Sequence, residues 1–427
     1  MQKLKKPLSF LLLIALISPL LIGCYDRIEL EGIAFVVAIG IDKGPNETLD
    51  LTARIAIPSE MSGGTAGGDS GKGSQSSKPI TVRAHTFSEA VTLLNTTVER
   101  RVSLLHLTSI LIGDSLSKDG LFAQLRPLLR NRELRRTVTV AFTPGSARDV
   151  FLFNEPVMEK SASRWYEAVH EVGRYTGLGA PRNLHDFFVS IQSPMEDAFA
   201  PVIAVNKAVQ KQSEQKSSGS AKQAELTIKQ AEPSFIPGKT ARIGGNTLEF
   251  LGGAVFKEGK LVTYIDGIQT RMMLMIRGEL TRTQMDFSDP LEKGKYVALE
   301  IKHAREPIVK VDYSKRPVEV NLVQKLEGDL IGVQGASDYT VTKNLHILER
   351  VISSKLKEKQ LDLILEMFHE HQAEPFGIFK KTRSHFLTMQ QMKEVDFREL
   401  LKDAKVSLKV DLKMRRLGVQ LGPAQER

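Results

Sequence analysis

Cysteine is almost absent: the 427 residues contain one, Cys24. No intramolecular disulfide framework and no multi-cysteine metal site can be built from it. Long apolar runs are missing too. After Ile22 no segment approaches the roughly 20 residues that a spanning helix needs, so the body is expected to be water-soluble. There is no Gly-x-Ser-x-Gly elbow and no His-Glu-x-x-His. Gly71-Lys72 superficially suggests a phosphate-binding loop, but Ala66 stands where the first glycine belongs and Gly73 where Ser or Thr belongs. Nucleotide binding is rejected there. No repeat of fixed period is visible.

What is present begins at the N-terminus. Lys3, Lys5 and Lys6 precede an uncharged apolar stretch from Leu8 to Ile22, which ends in Leu21-Ile22-Gly23-Cys24. A basic start, a short apolar core and a small residue before the break describe an export signal. With cysteine next, the pattern is that of a lipoprotein signal, cleaved between Gly23 and Cys24. The Cys24 thiol then takes acyl chains such as palmitate and becomes the new N-terminus. An ordinary cleaved signal, an uncleaved anchor and a buried structural cysteine are the alternatives. The lipoprotein reading is preferred because the one cysteine sits at the one informative place.

The net charge is +9 and the pI about 9.3. Such a surface favours anionic membranes or wall polymers. Nucleic acid is not expected, since the leader directs export. The densest basic stretch holds Arg126, Arg130, Arg132, Arg135 and Arg136. It lacks aromatics and is read as a solvated helix end.

Periodicity predicts mixed α/β and α+β architecture in two or three domains. Ala34–Gly40 is an apolar run suited to a strand buried on both faces. It pairs as a hairpin with the alternating strand Leu49–Ile57. Ser59–Pro79 is a Gly/Ser-rich loop. Thr86-Phe87-Ser88-Glu89 is a capping box opening a helix. Leu107–Ile112 and Thr137–Phe142 read as strands around a helical segment, Gly120–Leu134, that Pro127 kinks or restarts. The domain plan is a signal peptide at 1–23 and an α/β region at 24–205, open to subdivision near 145–165. A polar linker or insertion follows at 206–240, then an α+β region at 241–427. That last region holds a hairpin over Leu248–Ile265 and a long amphipathic helix, Thr342–Phe368. It ends in an alternating strand from Val406 to Met414, giving an antiparallel-type sheet with the helix laid across it.

No constellation demands catalysis. His369-Glu370-His371 puts two rings on different helix faces, a poor metal site. Asp186 and Glu196-Asp197 are read as solvated surface. Trp165-Tyr166 is read as core rather than as a partner surface. Lys355, Lys357 and Lys359 could approach anionic lipid from the long helix, though ordinary core packing is the favoured reading of that helix. Neither a cofactor nor a metal is expected.

Several motifs in order resemble the Ger(x)C family, the C-subunit lipoproteins of spore germination receptors. Gly23-Cys24-Tyr25-Asp26-Arg27-Ile28-Glu29-Leu30 is followed by Gly40-Ile41-Asp42, much like the family's GCWDxxEL…GID. His106–Gly113 and Pro127–Arg135 continue it. Gly252-Gly253-Ala254-Val255-Phe256 matches a G-x-A-V-F hairpin, and Pro375-Phe376-Gly377 and the last strand complete the series. Asp26, Gly40, Asp42, Gly113, Gly253, Phe256, Phe376 and Gly377 are the positions so marked, as structural motif residues. Tyr25 stands where the family usually has Trp, the segment Ala373-Glu374-Pro375 stands where it tends to carry an Asp, and an expected later Trp is missing, with Phe386 nearby. The resemblance implies a non-catalytic subunit on the outer face of a bacterial cell membrane or spore inner membrane, held through acylated Cys24. It implies two integral-membrane receptor subunits as partners and three domains of mixed α/β type. A free-standing solute-binding lipoprotein is the alternative.

Overall fold

The computed structural model describes residues 29–56, 79–158, 162–215 and 232–418. The expected signal peptide, Gly23, Cys24 and Asp26 lie outside the described residues, as does nearly all of the glycine-rich loop.

The first sheet has ten strands. They are β1 (Ile33–Lys43), β2 (Leu49–Ile55), β3 (Ile80–Ala84), β4 (Arg101–Ser103), β5 (Ser109–Ile112), β6 (Thr139–Phe142), β7 (Arg182–Asn183), β8 (Phe199–Val205), β9 (Leu248–Lys257) and β10 (Lys260–Ile265). The main order is β10-β9-β8-β6-β5-β1-β2-β3, with β4 beside the start of β1 and β7 beside β6. β1, β5, β6 and β8 run parallel, and hairpins flank them on both sides. The apolar run of β1 is buried on both faces, as its sequence requires.

Helices cover both faces. On one lie α1 (Phe87–Leu94), α3 (Phe122–Arg130) and α6 (Leu184–Gln192), whose Phe87, Leu94, Leu125, Leu128 and Phe187 share a core with Phe142 and Phe256. On the other, α4 (Ala147–Leu152) and α5 (Ala162–Thr176) bring Val150, Phe151 and Tyr166 against Ala38 and Leu111. Between α1 and α3 in the chain comes α2 (Asp114–Asp119), which packs against β10 and β1. Thr86 Oγ1 accepts the Glu89 N–H at 3.1 Å, but the Glu89 carboxylate turns to the His85 N–H instead of Thr86. Pro127 is inside α3, which stops at Arg130. The polar stretch from 206 opens as a helix, α7 (Lys207–Gln215).

The hairpin β9–β10, expected beyond a boundary at 241, extends the first sheet. β9 pairs antiparallel with β8 from Phe199↔Val255 to Val205↔Leu248. The reason is apolar demand: nearly every β9 side chain is buried, including Ala254, Val255 and Phe256. Phe256 packs its ring 4.5 Å from Phe142 and 5.1 Å from Phe187, centroid to centroid. Each such fully buried phenyl contributes about 1.5–3 kcal/mol.

The second sheet comprises β11 (Thr283–Ser288), β12 (Tyr296–His303), β13 (Ile308–Asp312), β14 (Glu319–Val333) and β15 (Lys405–Arg416). It is antiparallel except that β15 runs parallel to β14. Between the sheets stands α8 (Gly267–Arg277), buried along most of its length because Met272, Met273, Leu274, Met275 and Ile276 follow one another. The long helix α9 (Thr342–Leu365) lies over the second sheet and passes into a π-turn, Glu366–Glu370. Lys359, which breaks its apolar period, is exposed. Short helices α10 (Ile378–Lys381), α11 (Met389–Glu394) and α12 (Phe397–Leu401) lead into β15. On β15, the Leu412 N–H donates to Ser353 Oγ at 3.1 Å and the Met414 N–H to Glu349 Oε1 at 2.9 Å, so α9 closes part of that strand's outer edge. No helix of the described residues is long and apolar enough to cross a membrane.

Candidate functional site

Three of the motif residues meet at the ends of the parallel strands. Asp42, at the end of β1, accepts Ser146 Oγ at 2.9 Å, the Ala147 N–H at 2.8 Å and the Arg148 N–H at 2.9 Å. It thus caps α4 from 105 residues away in the chain. Burial holds its carboxyl above the ordinary aspartate value, against the lowering pull of those N–H groups. Gly40, two residues earlier, faces Phe151, whose Cε2 would lie 2.6 Å from an added Cβ. Gly113 closes β5, and a Cβ there would lie 2.0 Å from Asp42 Oδ1. Its φ of −74° suits any residue, so the demand for glycine is steric. Next to it, Tyr264 Oη donates to Asp114 Oδ1 at 2.9 Å and ties β10 to this corner.

A prediction arises here. Gly113→Ala should cost about 2–3 kcal/mol in denaturant unfolding, since overpacking displaces a cap that three donors hold. In an Asp42→Ala background the same change should cost little, because the obstacle is gone. Additive costs would sink this account.

The second constellation sits where the two sheets join, and sequence reasoning missed it. Glu196 and Asp197, expected as solvated surface, are 3 % and 6 % exposed. Met195 and Phe199 on either side belong to the core, and the chain entering β8 takes the two carboxylates inward with them. Glu196 meets Lys380 Nζ at 2.6 Å and Arg277 Nη2 at 3.5 Å. Asp197 meets Arg398 Nη2 at 3.3 Å. The Asp197 N–H donates to the Glu374 carbonyl at 2.8 Å, and Asp197 Oδ2 accepts the Glu374 N–H at 2.9 Å. Glu374 accepts the N–H groups of Gly377 and Ile378 at 3.0 and 2.9 Å and so opens α10. Gly377 has φ +68°, where a side chain would be strained. Arg277 donates from Nη1 to the Pro375 carbonyl at 2.6 Å. Arg182 and Arg277 lie over the Phe199 ring, 3.9 and 4.7 Å from its centroid.

Burial raises the Glu374 carboxyl well above its ordinary range, and it raises Asp197 too, against the pull of Arg398. Such shifts can mark catalysis, but every oxygen here is turned to a backbone N–H or a cation. The crevice beside them has about 10 Å³ of free space, about one water. The arrangement clamps one sheet to the other and leaves no place for a substrate.

The other marked residues that are described are packed within the fold. Phe376 is buried with its ring 6.0 Å from Phe368, and Gly253 lies in β9, where a Cβ would meet Ile265 at 3.2 Å. Asp186 is exposed, as expected, and its carboxylate accepts the Asn183 amide. Tyr166 is buried against Phe151 and Trp165, as expected of core. His369 reaches the Ala404 carbonyl and His371 faces Glu366. Burial pushes His170 and His303 down to about 4, so both rings are neutral near pH 7. An open cleft of about 600 Å³ lies beside the clamp, lined by Thr139, Arg174, Asn183, Asp186 and Glu279 among others. Its charged groups are already engaged: Asp186 with Asn183, Arg174 with Glu171, and Glu279 with Arg182 and Arg277.

Comparison with known proteins places this frame. Residues 26–205 match the model described as the spore germination protein N-terminal domain, and residues 251–418 the one described as spore germination B3/GerAC like, C-terminal. The putative spore germination protein YfkR of Bacillus subtilis (strain 168) is 22 % identical over 405 residues, covering 94 % of this chain and 95 % of that one. Spore germination protein KC of the same strain is 22 % identical over 426 residues, covering 97 % of each. Among solved structures, that of the GerBC protein aligns with a TM-score of 0.52 at 17 % identity, covering 88 % of this chain and 96 % of that one.

Proposed function

The chain belongs to the Ger(x)C family of spore germination proteins, and from that premise we propose that it is the lipid-anchored C-subunit of a nutrient germinant receptor, working without catalysis. One observation supports this above the others. The two family models follow one another over residues 26–205 and 251–418, and the first begins two residues after Cys24. In this reading Cys24 holds the protein on the outer face of the spore or cell membrane. The clamped frame then presents a fixed shape to two integral-membrane subunits. Tethering confines the subunits to one thin layer and raises their effective concentration. The commitment of Glu196, Asp197 and Glu374 to holding the sheets together agrees with a scaffold rather than an enzyme.

A free-standing solute-binding lipoprotein would be built from two like parallel lobes. Here one sheet has a parallel centre and the other is mostly antiparallel, which disfavours it. The test is mild detergent extraction of spore membranes. The chain is expected to co-purify with two integral-membrane subunits, and its deletion to abolish one nutrient response. Recovery as a free monomer, with germination normal in the deletion strain, would refute the proposal.

A further inference from the structure

We propose that the edge of the first sheet from which β1, β4, β5 and β6 start is the face that this chain lays against an anionic phospholipid bilayer. The inference rests on the anchored reading above and adds an orientation to it.

These four strands are parallel, so their starts share one side of the sheet. Ile33 lies opposite Arg101, and Ser109 lies opposite both Ala38 and Thr139. The chain reaches β1 from this side, at Glu29. Four residues, hence five Cα-to-Cα steps, separate Cys24 from Glu29. At no more than about 3.6 Å per residue, they span at most about 18 Å. Acyl chains on Cys24 therefore keep this edge close to the lipid surface.

The edge has the composition such a surface needs. Arg100 and Arg101 enter β4, and Arg132, Arg135 and Arg136 lie in the loop that leads to β6; all five are exposed. The Glu133 carboxylate accepts Ser103 Oγ at 3.2 Å and the Leu104 N–H at 2.7 Å, which binds that loop to β4 and gathers the two groups of arginines. Among the described residues, none of the five is ion-paired with a carboxylate, whereas Arg83, Lys118 and Lys315 at other surfaces each are. Exposed Glu29, Glu31 and Glu99 and half-buried Glu133 stand near, four carboxylates against five guanidinium groups, which leaves a small positive excess. Leu30 and Leu105 are 69 % and 47 % exposed at the same edge. Guanidinium groups match phosphate oxygens in a fork, and leucines between them reach the acyl boundary. The run from Arg126 to Arg136 is a solvated helix end only as far as Arg130, where α3 stops. The arginines beyond it join a pair from another part of the chain.

The test uses the mature lipidated chain on two kinds of vesicle, phosphatidylcholine alone and phosphatidylcholine with phosphatidylglycerol. Amide hydrogen exchange is followed by mass spectrometry. On the anionic vesicles, exchange over residues 99–106 and 131–138 should slow about tenfold relative to the neutral ones, and high salt should erase the difference. A variant with Arg100→Gln, Arg101→Gln, Arg132→Gln, Arg135→Gln and Arg136→Gln should lose the slowing while keeping its melting temperature and its vesicle retention. Lys357→Gln with Lys359→Gln, on α9, should change nothing. Equal exchange on both vesicles, or slowing that survives the five substitutions, overturns the proposal. Failure of the anchored reading looks different: the chain then leaves even the neutral vesicles.

Discussion

A chain carrying Cys24→Ala is expected to vanish from the spore membrane fraction and to take most of the corresponding nutrient response with it. Each acyl methylene buried in the bilayer contributes about 0.8 kcal/mol, so a single chain holds marginally and two or three hold stably. No helix of the described residues is long and apolar enough to cross a bilayer in place of the proposed anchor. The arginine-rich edge would supply a weak, salt-sensitive hold at most. Retention should therefore fall by about a thousandfold or more, read by immunoblot of washed membranes against the soluble fraction. Full retention with an unchanged response would remove the basis of the anchored reading.

Glu374→Ala should be the most damaging substitution in the folded body. It strips the acceptor from two N–H groups in a dry interior, each costing about 1–3 kcal/mol when left unmade. It also leaves a hole beside a charged cluster. A loss of about 3–5 kcal/mol is expected in denaturant unfolding, a large share of the 5–15 kcal/mol that stabilises a typical domain. Glu374→Gln keeps one acceptor and should lose less. The two forms should also differ in pH dependence. Burial raises the native Glu374 carboxyl above its ordinary 4.5, so the folded state keeps a proton that the unfolded chain releases. The stability this proton confers is full below pH 4.5 and is lost as pH rises through the raised native value. Wild-type stability should thus fall more steeply than that of Glu374→Gln over that window. Asp197, shifted in the same direction, is present in both and cancels. A cost under about 1 kcal/mol for the alanine variant, with parallel pH curves, would show that the clamp does not join the sheets.

Much of the frame was legible because its signals are local. Alternation from Val406 to Met414 and from Leu49 onward fixes which side chains go inward, and both segments are strands. The Gly-Ile-Asp triplet ends a buried strand where a helix start needs an acceptor. The clamp was not legible, because its partners are distant. Arg277 is 81 residues from Glu196, Lys380 is 184, and Arg398 is 201 from Asp197. Adjacent carboxylates look alike whether water or guanidinium surrounds them. The one local hint was that Met195 and Phe199 flank the pair. The place of the hairpin at 248–265 was hidden for a related reason: its own pattern marks two strands, but only apolar β8 determines which sheet they extend.

The way α9 occupies outward N–H groups of β15 bears on life in a crowd. Proteins tethered to one membrane collide in two dimensions, often and in similar orientations. An open twelve-residue ribbon would invite neighbours to stitch themselves on, backbone to backbone. If the chain is held by Cys24 as proposed, Ser353 and Glu349 in that place, with Lys405, Lys409 and Lys413 along the ribbon, would hinder a neighbour on the same membrane from pairing along this edge.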